Sequence, residues 1–462
     1  MPRFVSTKPD ARLIQLPWEV PLADWPVDKL VALPRGISRH VVRFIRVGDE
    51  TYAAKEVIEH LAVHEYRLLH DLNRLGTPSV EPVGVVTGRV DANGEPLDPI
   101  LLTRHLQFSL PYRALFTPGV RSETVGRLLD AMVVLLAKLH LAGVLWGDVS
   151  LSNILFRRDA GEFAAYLVDA ETGELHDQLT DGQREHDLMI AKINLFGEFS
   201  DLEAGGMLDE ALKPEFLVET IEHRYRELWN ELTGIEEFDG SEMHRIDSRV
   251  RRLNALGFDV AELDITTDLD GSTVRIQPKV VDAGHHSRRL IRLTGLDTEE
   301  NQARRLLNDL DTYRVRTDQQ SADEAVIAHQ WLTRVFEPVL DAVPDDLRSK
   351  REPAQIFHEV LDHRWYMSEQ AGHEVPILDA AKDYTDTVLR ELPDEAMSPD
   401  SVLPIEQHGR RLVNPFDPSQ GYVDENDDDR PYDPWEDGTE EPAATPAHDY
   451  LDIDALRARA KG

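Results

Sequence analysis

Apolar positions recur along this chain with two periods, and the changes of period mark its parts. Leu30–Leu33, Val41–Val47 and Thr51–Val57 read as three short strands, divided by the turns Pro34–Arg39 and Gly48–Glu50. From Val57 to Leu75 the period becomes helical, with Leu61, His64, Leu68, Leu69 and Leu72 along one side, until Gly76-Thr-Pro-Ser79 stops it. Val83–Val90 and Ile100–Arg104 predict two more strands around the turn Asp91–Gly94. Ser122–Leu141 is a strong helix whose serine can cap it, with Leu128, Leu129, Val133, Leu136, Ala137 and His140 at helical spacing. The apolar runs Ile154–Phe156 and Tyr166–Asp169 predict strands, and Arg184–Phe199 another helix. Ahead of all this, residues 1–28 read as an irregular lead-in with five prolines and two tryptophans.

From about Met207 the style changes. Helical patterns cover Glu215–Thr233 and Ser241–Leu256, then Val260–Thr266 and Thr273–Val281 alternate as a hairpin turning at Asp270-Gly271. Helices are expected at Arg288–Leu293, Thr298–Tyr313, Ala322–Val343 and through Pro353–Leu392. Beyond Pro393 aliphatics thin out and acids cluster at Asp424–Asp429 and Trp435–Glu441, which predicts a disordered tail with a short closing helix at Leu451–Ala460. The expected organisation is a lead-in at 1–28, a first domain at 29–206, a second, largely helical α+β domain at 207–392 and an acidic tail at 393–462.

Charge narrows the partners. With 86 acidic against 50 basic residues in 462, the net charge of −36 argues against bulk nucleic-acid binding and against anionic membranes. No cysteine is present, so thiolate chemistry and cysteine metal sites are excluded. The first residues lack an apolar signal core and no apolar run reaches membrane-spanning length, so a cytoplasmic protein is expected. Only 10 of the basic residues are lysines, which makes a lysine at a functional position informative.

The densest chemistry lies in Leu145-Trp-Gly-Asp148-Val-Ser-Leu-Ser-Asn153. Phosphoryl transfer needs a carboxylate near the acceptor hydroxyl and a neutral oxygen ligand for magnesium, and an Asp-x-x-x-x-Asn loop carries both. Asp169, closing an apolar strand, supplies a second acid where a principal metal ligand would stand. Lys55, in the small-residue strand Tyr52-Ala-Ala-Lys55, can reach nucleotide phosphates. Glu65 on the following helix can pair with it, with Glu59 as a rival; Glu65 precedes the leucine stripe and should face the sheet. The bland readings are a solvated lysine, an exposed helical glutamate and turn-capping aspartates. A separate cluster, Gly284-His-His-Ser-Arg-Arg-Leu-Ile-Arg292, concentrates positive charge. It is either a phosphate- or protein-partner patch at a helix N-terminus or a basic helix paired with nearby acids. The acidic tail is a second candidate contact for a protein partner.

On these residues the segment Leu30–Phe199 resembles the protein-kinase-like fold, closest to lipopolysaccharide kinases, Rio-type kinases and aminoglycoside phosphotransferases. The passages Glu65–Val83 and Leu139–Asp148 are similar to theirs. The resemblance implies an α+β protein with an antiparallel-sheet N-lobe and a mainly helical C-lobe, using ATP and Mg2+ to phosphorylate a hydroxyl acceptor of unknown identity. Asp148 would be the catalytic base, Asn153 and Asp169 the magnesium ligands, Lys55 the phosphate clamp and Glu65 its partner. Ile100–Leu106, Arg104 included, would form the strand and hinge for adenine. The C-terminal part is similar to that of an uncharacterised actinobacterial family joining such a lobe to a domain of unknown function. Departures from the kinase pattern are plain in the sequence. The phosphate-covering turn Arg35-Gly36-Ile-Ser38-Arg-His40 has one glycine, leaving Ser38 and the arginines to assist. Trp146 stands where histidine is usual, Asp169 is followed by Ala170-Glu171 rather than Phe-Gly, and no Ala-Pro-Glu follows. Glu171 reads as an additional metal ligand or a surface acid. These losses motivate the competing expectation, an inactive scaffold or nucleotide-binding regulatory module.

Overall fold

The computed structural model describes residues 2–6, 10–33, 39–48, 50–117, 120–209, 211–234, 236–239, 253, 258–267, 273–319 and 322–392, with backbone alone at 236–239, 259–267 and 273–283. Strands β1 (Arg3–Val5), β2 (Leu30–Val31), β3 (Val41–Val47), β4 (Glu50–Glu56), β5 (Pro82–Thr87) and β8 (Ile100–Arg104) form an antiparallel sheet in the order β1-β5-β8-β4-β3-β2. The small hairpin β6 (Arg89–Val90) and β7 (Pro96–Leu97) extends from β5, and helix α1 (Glu59–Arg74) packs on one face. Alternation sets the register: Ile45 and Tyr52 pair across β3 and β4, and Lys55 lies opposite Val42 on one side and Leu101 on the other.

The lead-in departs from expectation. Arg3–Val5 joins the sheet by pairing with β5, and Leu13, Trp18, Leu22 and Trp25 are buried against Ile45, Tyr52 and Leu102 on the face away from α1. Arg89 fastens it there. This buried guanidinium donates to Trp18 O at 2.9 Å and Val20 O at 2.6 Å, and pairs with Glu56 at 2.6 Å. The strand expected over Leu30–Leu33 is only Leu30–Val31, because it pairs with Phe44 and Ile45 alone.

The second lobe is built on α3 (Ser122–Leu141), apolar over most of its circumference and therefore central to the core. Around it lie β9 (Ser109–Pro111), α2 (Tyr112–Leu115), β10 (Val144–Leu145), β11 (Ile154–Asp159), β12 (Glu162–Leu167), β13 (Glu174–Leu175), α4 (Asp181–Ala204) and α5 (Pro214–Thr233). Strand β12 ends at Leu167, so Asp169 sits in the loop beyond it rather than at the strand's end. Thr180 and Gln183 form a capping box that starts α4 earlier than its apolar pattern suggests. Leu217, Ile221, Tyr225 and Leu232 of α5 share the α3 core.

A three-stranded sheet, β14 (Glu236–Asp239), β16 (Thr273–Ala283) and β15 (Phe258–Thr267), leads to a helical domain with its own core. Its helices are α6 (His285–Thr294), α7 (Glu300–Arg316), α8 (Glu324–Trp331), α9 (Glu337–Asp341), α10 (Asp345–Arg348), α11 (Pro353–Ala371) and α12 (Ile377–Tyr384). A π-helical turn, Leu332–Phe336, joins α8 to α9, with Pro338 just beyond it. The helix expected through Pro353–Leu392 is broken: Gly372 takes a left-handed conformation and Pro376 starts the next helix. The helix at Ser241–Leu256, the turn Asp270-Gly271 and the acidic tail lie outside the described residues. No helix among the described residues is long and apolar enough to cross a membrane.

Candidate active-site cleft

A cleft of about 590 Å³ separates the sheet from the α3 lobe, and Lys55, Glu65, Asp148, Asn153, Asp169 and Arg104 all border it. Strand β4 delivers Lys55, whose Nζ donates to Glu65 Oε2 at 3.0 Å, Asp169 Oδ2 at 2.8 Å and Glu171 Oε2 at 3.0 Å. Glu65 comes from the inner face of α1, fully buried, and accepts a further bond from Ala170 N at 3.3 Å. Its rival Glu59 is exposed at the start of α1. Burial alone would depress the Lys55 ammonium, but Glu65 and Asp169 outweigh it and hold its pKa above the ordinary lysine value. Burial and the Asp169 charge push Glu65 up to about 7 against the pull of Lys55.

The loop after β10 carries Asp148. Gly147 makes the approach with φ +78°, where a β-carbon would stand 2.9 Å from Thr172 O. Asn153 Nδ2 donates to Asp148 O at 3.0 Å and Asp148 Oδ2 at 3.1 Å, so the two residues of the motif touch. Asn194 Nδ2 donates to Asp148 Oδ1 at 2.9 Å from below.

Helix α4 is the support that sequence reasoning missed. Asp187, Asn194 and Glu198 share one helix face, and each grips the loop. Asp187 accepts from Trp146 N at 2.7 Å, Gly147 N at 2.8 Å and His140 Nε2 at 3.1 Å. Glu198 accepts from Leu151 N at 2.7 Å and Ser152 N at 2.8 Å, and burial raises its pKa. Burial lowers His140 below its ordinary pKa despite Asp187, so a neutral ring donates to Asp187 and accepts from Tyr225. Trp146 is fully buried, with no hydrogen-bond partner for its Nε1 among the described residues. A polar set at helical spacing was the available signal, and it is one that solvent-facing helices also give.

Other candidates fall differently. Arg35, Gly36 and Ser38 lie outside the described residues. Arg104 borders the cleft, but its guanidinium is held by Glu81 at 2.8 Å and by Glu50. Glu171 is not a surface acid: its side chain is 8% exposed and meets Arg39, His40 and Lys55. In the basic segment 284–292, the amides of His286 and Ser287 at the start of α6 are taken by Glu300 at 2.6 and 3.0 Å, and Arg289 pairs with Glu324. That helix start is thus occupied by an internal carboxylate, as the reading of a basic helix paired with nearby acids expects.

The hairpin bearing Asn153 at one end and leading to Asp169 at the other is held by the helical domain. Arg157 pairs with Glu299 at 2.8 Å and Glu352 at 2.7 Å, and Tyr166 donates to Glu299 at 2.7 Å. Asp159 caps α7, accepting from Asn301 N at 3.1 Å and Gln302 N at 2.7 Å.

Residues 46–195 match the family model described as the lipopolysaccharide kinase (Kdo/WaaP) family, and residues 227–389 match a domain of unknown function, DUF4032. No curated protein matches the chain. Among solved structures, "WaaP in complex with acyl carrier protein" is similar at 19% identity and a TM-score of 0.33, covering 55% of this chain and 99% of that one. The chain therefore carries a domain of the lipopolysaccharide kinase (Kdo/WaaP) family at residues 46–195, joined to a DUF4032 domain at 227–389.

Proposed function

We propose that the protein is an ATP- and Mg2+-dependent phosphotransferase acting on a hydroxyl acceptor. The observation that carries this reading is the meeting of Lys55 with Glu65 and Asp169 in the cleft that Asp148 and Asn153 also border. The donor set fits the cofactor. Glu65, Asp169 and Glu171 bring carboxylate oxygens within 4.8 Å of one another around one ammonium, a surplus of negative charge suited to a divalent cation in the cleft that Asn153 also borders. Val42, Ala53, Leu101 and Val168 give the same cleft an apolar part for a base.

Bound Mg-ATP supplies the phosphoryl group and the metal that spreads its charge. The chain's residues do the rest. Asn194 and Asn153 hold one Asp148 oxygen each, which fixes the carboxylate to accept the proton of the acceptor hydroxyl. Lys55, oriented by Glu65, holds nucleotide phosphates, and Asp169 with Asn153 holds the metal.

A thermal-shift titration tests the first half. Mg-ATP should raise the melting temperature by mass action, and Asp169→Ala should lose the magnesium-dependent part of the shift. Transfer of radiolabel from γ-labelled ATP tests the second half, with Asp148→Ala expected to abolish it. Stabilisation without transfer to any acceptor would favour a nucleotide-binding regulatory module, and no stabilisation at millimolar Mg-ATP would favour a scaffold.

A further inference from the structure

Three side chains, two from just before β3 and one from β4, converge on one side chain from the other lobe. Arg39 donates to Glu171 Oε1 at 2.9 Å, and His40 Nε2 and Lys55 Nζ meet Oε2 at 2.9 and 3.0 Å. We infer that Arg39, His40 and Lys55 form the polyphosphate site of the cleft, and that Glu171 fills it as an internal anion until a polyphosphate displaces it. The inference deepens the nucleotide reading and rests on it for the identity of the natural ligand.

Four observations carry it. First, two oxygens receiving charge-assisted bonds from Arg, His and Lys is the donor pattern that phosphate oxygens take. Second, the position is on the reaction line. Arg39 NH2 also lies 4.0 Å from Asp148 Oδ2, so the anion held by Arg39 sits between the lysine and the carboxylate expected to take the acceptor's proton. Third, Glu171 is surplus to the lysine. Glu65 and Asp169 already hold Lys55, and a third carboxylate beside them adds repulsion that an arriving phosphate would make worse. Fourth, Glu171 is joined to Asp169 through its backbone N–H at 3.1 Å, so its side chain can swing away without disturbing Asp169.

The arrangement also accounts for the missing glycines. A glycine-rich turn works by bringing backbone amides to the phosphates, whereas here the Arg39 and His40 side chains just before β3 take that place. Glu171, in turn, keeps those side chains paired and in place when the cleft holds no anion. Binding of phosphate is then an exchange of one anion for another, and its apparent affinity is reduced by the fraction of molecules in which Glu171 holds the site.

Equilibrium titration of the full chain in magnesium-free buffer with inorganic tripolyphosphate, ATP and adenosine tests the proposal. Arg39→Ala and His40→Ala should each weaken tripolyphosphate and ATP about tenfold. Glu171→Gln should tighten both about three- to tenfold, with adenosine changed less than twofold throughout. Arg39 is 75% exposed, so its variant folds without repacking and remains informative if the buried Glu171 variant does not fold. Unchanged tripolyphosphate affinity in Arg39→Ala and His40→Ala, or weaker binding in folded Glu171→Gln, would overturn the inference. If tripolyphosphate follows the expected pattern while ATP and adenosine fail to bind, the anion site stands and the nucleotide reading falls. If ATP and adenosine bind the wild type and none of the three variants differs, the nucleotide reading stands and this inference alone falls.

Discussion

Asn194 holds Asp148 by a single hydrogen bond, Nδ2 to Oδ1 at 2.9 Å, from a helix that takes no other part in the mouth of the cleft beyond Glu198. The bond orients a carboxylate whose second oxygen is already fixed by Asn153. Asn194→Ala should therefore lower kcat about tenfold while leaving the KM for nucleotide within twofold, because proton transfer depends on orientation and nucleotide binding does not. An unchanged kcat in steady-state assays would remove Asn194 from the positioning of Asp148.

Asp187 is fully buried and satisfies two loop amides and a neutral histidine. Replacing it with alanine strands all three donors, at a cost of about 3–5 kcal/mol. Asp187→Ala should lower the urea midpoint accordingly, and Asp187→Asn should recover part of the loss by keeping one acceptor oxygen.

Glu65 ties stability to pH. Its folded pKa of about 7 lies above the ordinary value of 4.5, so the folded state binds the extra proton between these limits. The contribution is complete below about pH 4.5 and is lost as pH rises through about 7. Lys55 stays charged across this window and adds no slope. Relative to Glu65→Gln, wild-type protein without nucleotide should thus lose on the order of 1–3 kcal/mol between pH 4.5 and 8. Parallel melting curves of the two proteins across that range would contradict this.

Arg157 is the junction between the β11–β12 hairpin and the helical domain. Removing its side chain leaves the buried Glu299 and the half-buried Glu352 without their cation, and Arg157→Ala should cost about 3 kcal/mol. Adding Glu299→Ala should cost less than the sum of the two single changes, by a double-mutant cycle on thermal unfolding. The hairpin begins next to Asn153 and leads to Asp169, so the KM for magnesium should rise as well.

Much of the fold was legible because its signals are local. Helix α3 begins at Ser122 and ends at Leu141 as its apolar spacing requires, and Ile100–Arg104 is the strand its alternation predicts. The Asp148–Asn153 spacing was enough to set both on one short loop. What escaped was non-local. Asp187, Asn194 and Glu198 look like the wet face of a helix until the loop 40 residues earlier is laid against them. Arg157 and Asp159 find their partners about 140 residues away or more. Glu171 reads as an additional metal ligand or a surface acid until Arg39 and His40, just before β3, are laid against it. The break at Gly372 and Pro376 was available in the sequence, since a glycine followed closely by a proline ends a helix.

The family match begins at residue 46, yet the sheet it covers is roofed by residues that precede it. Trp18 and Trp25 lie edge to face under Arg89, whose guanidinium spans Trp18, Val20 and Glu56. Trimming the chain to the family boundary would remove Ile45, strip the indoles from Tyr52 and Leu102, and leave Arg89 in an oily hollow without the Trp18 and Val20 carbonyls. Lys55 is on the strand beneath that roof, three positions along from Tyr52, so the same cut would loosen the floor on which the phosphates are expected to rest.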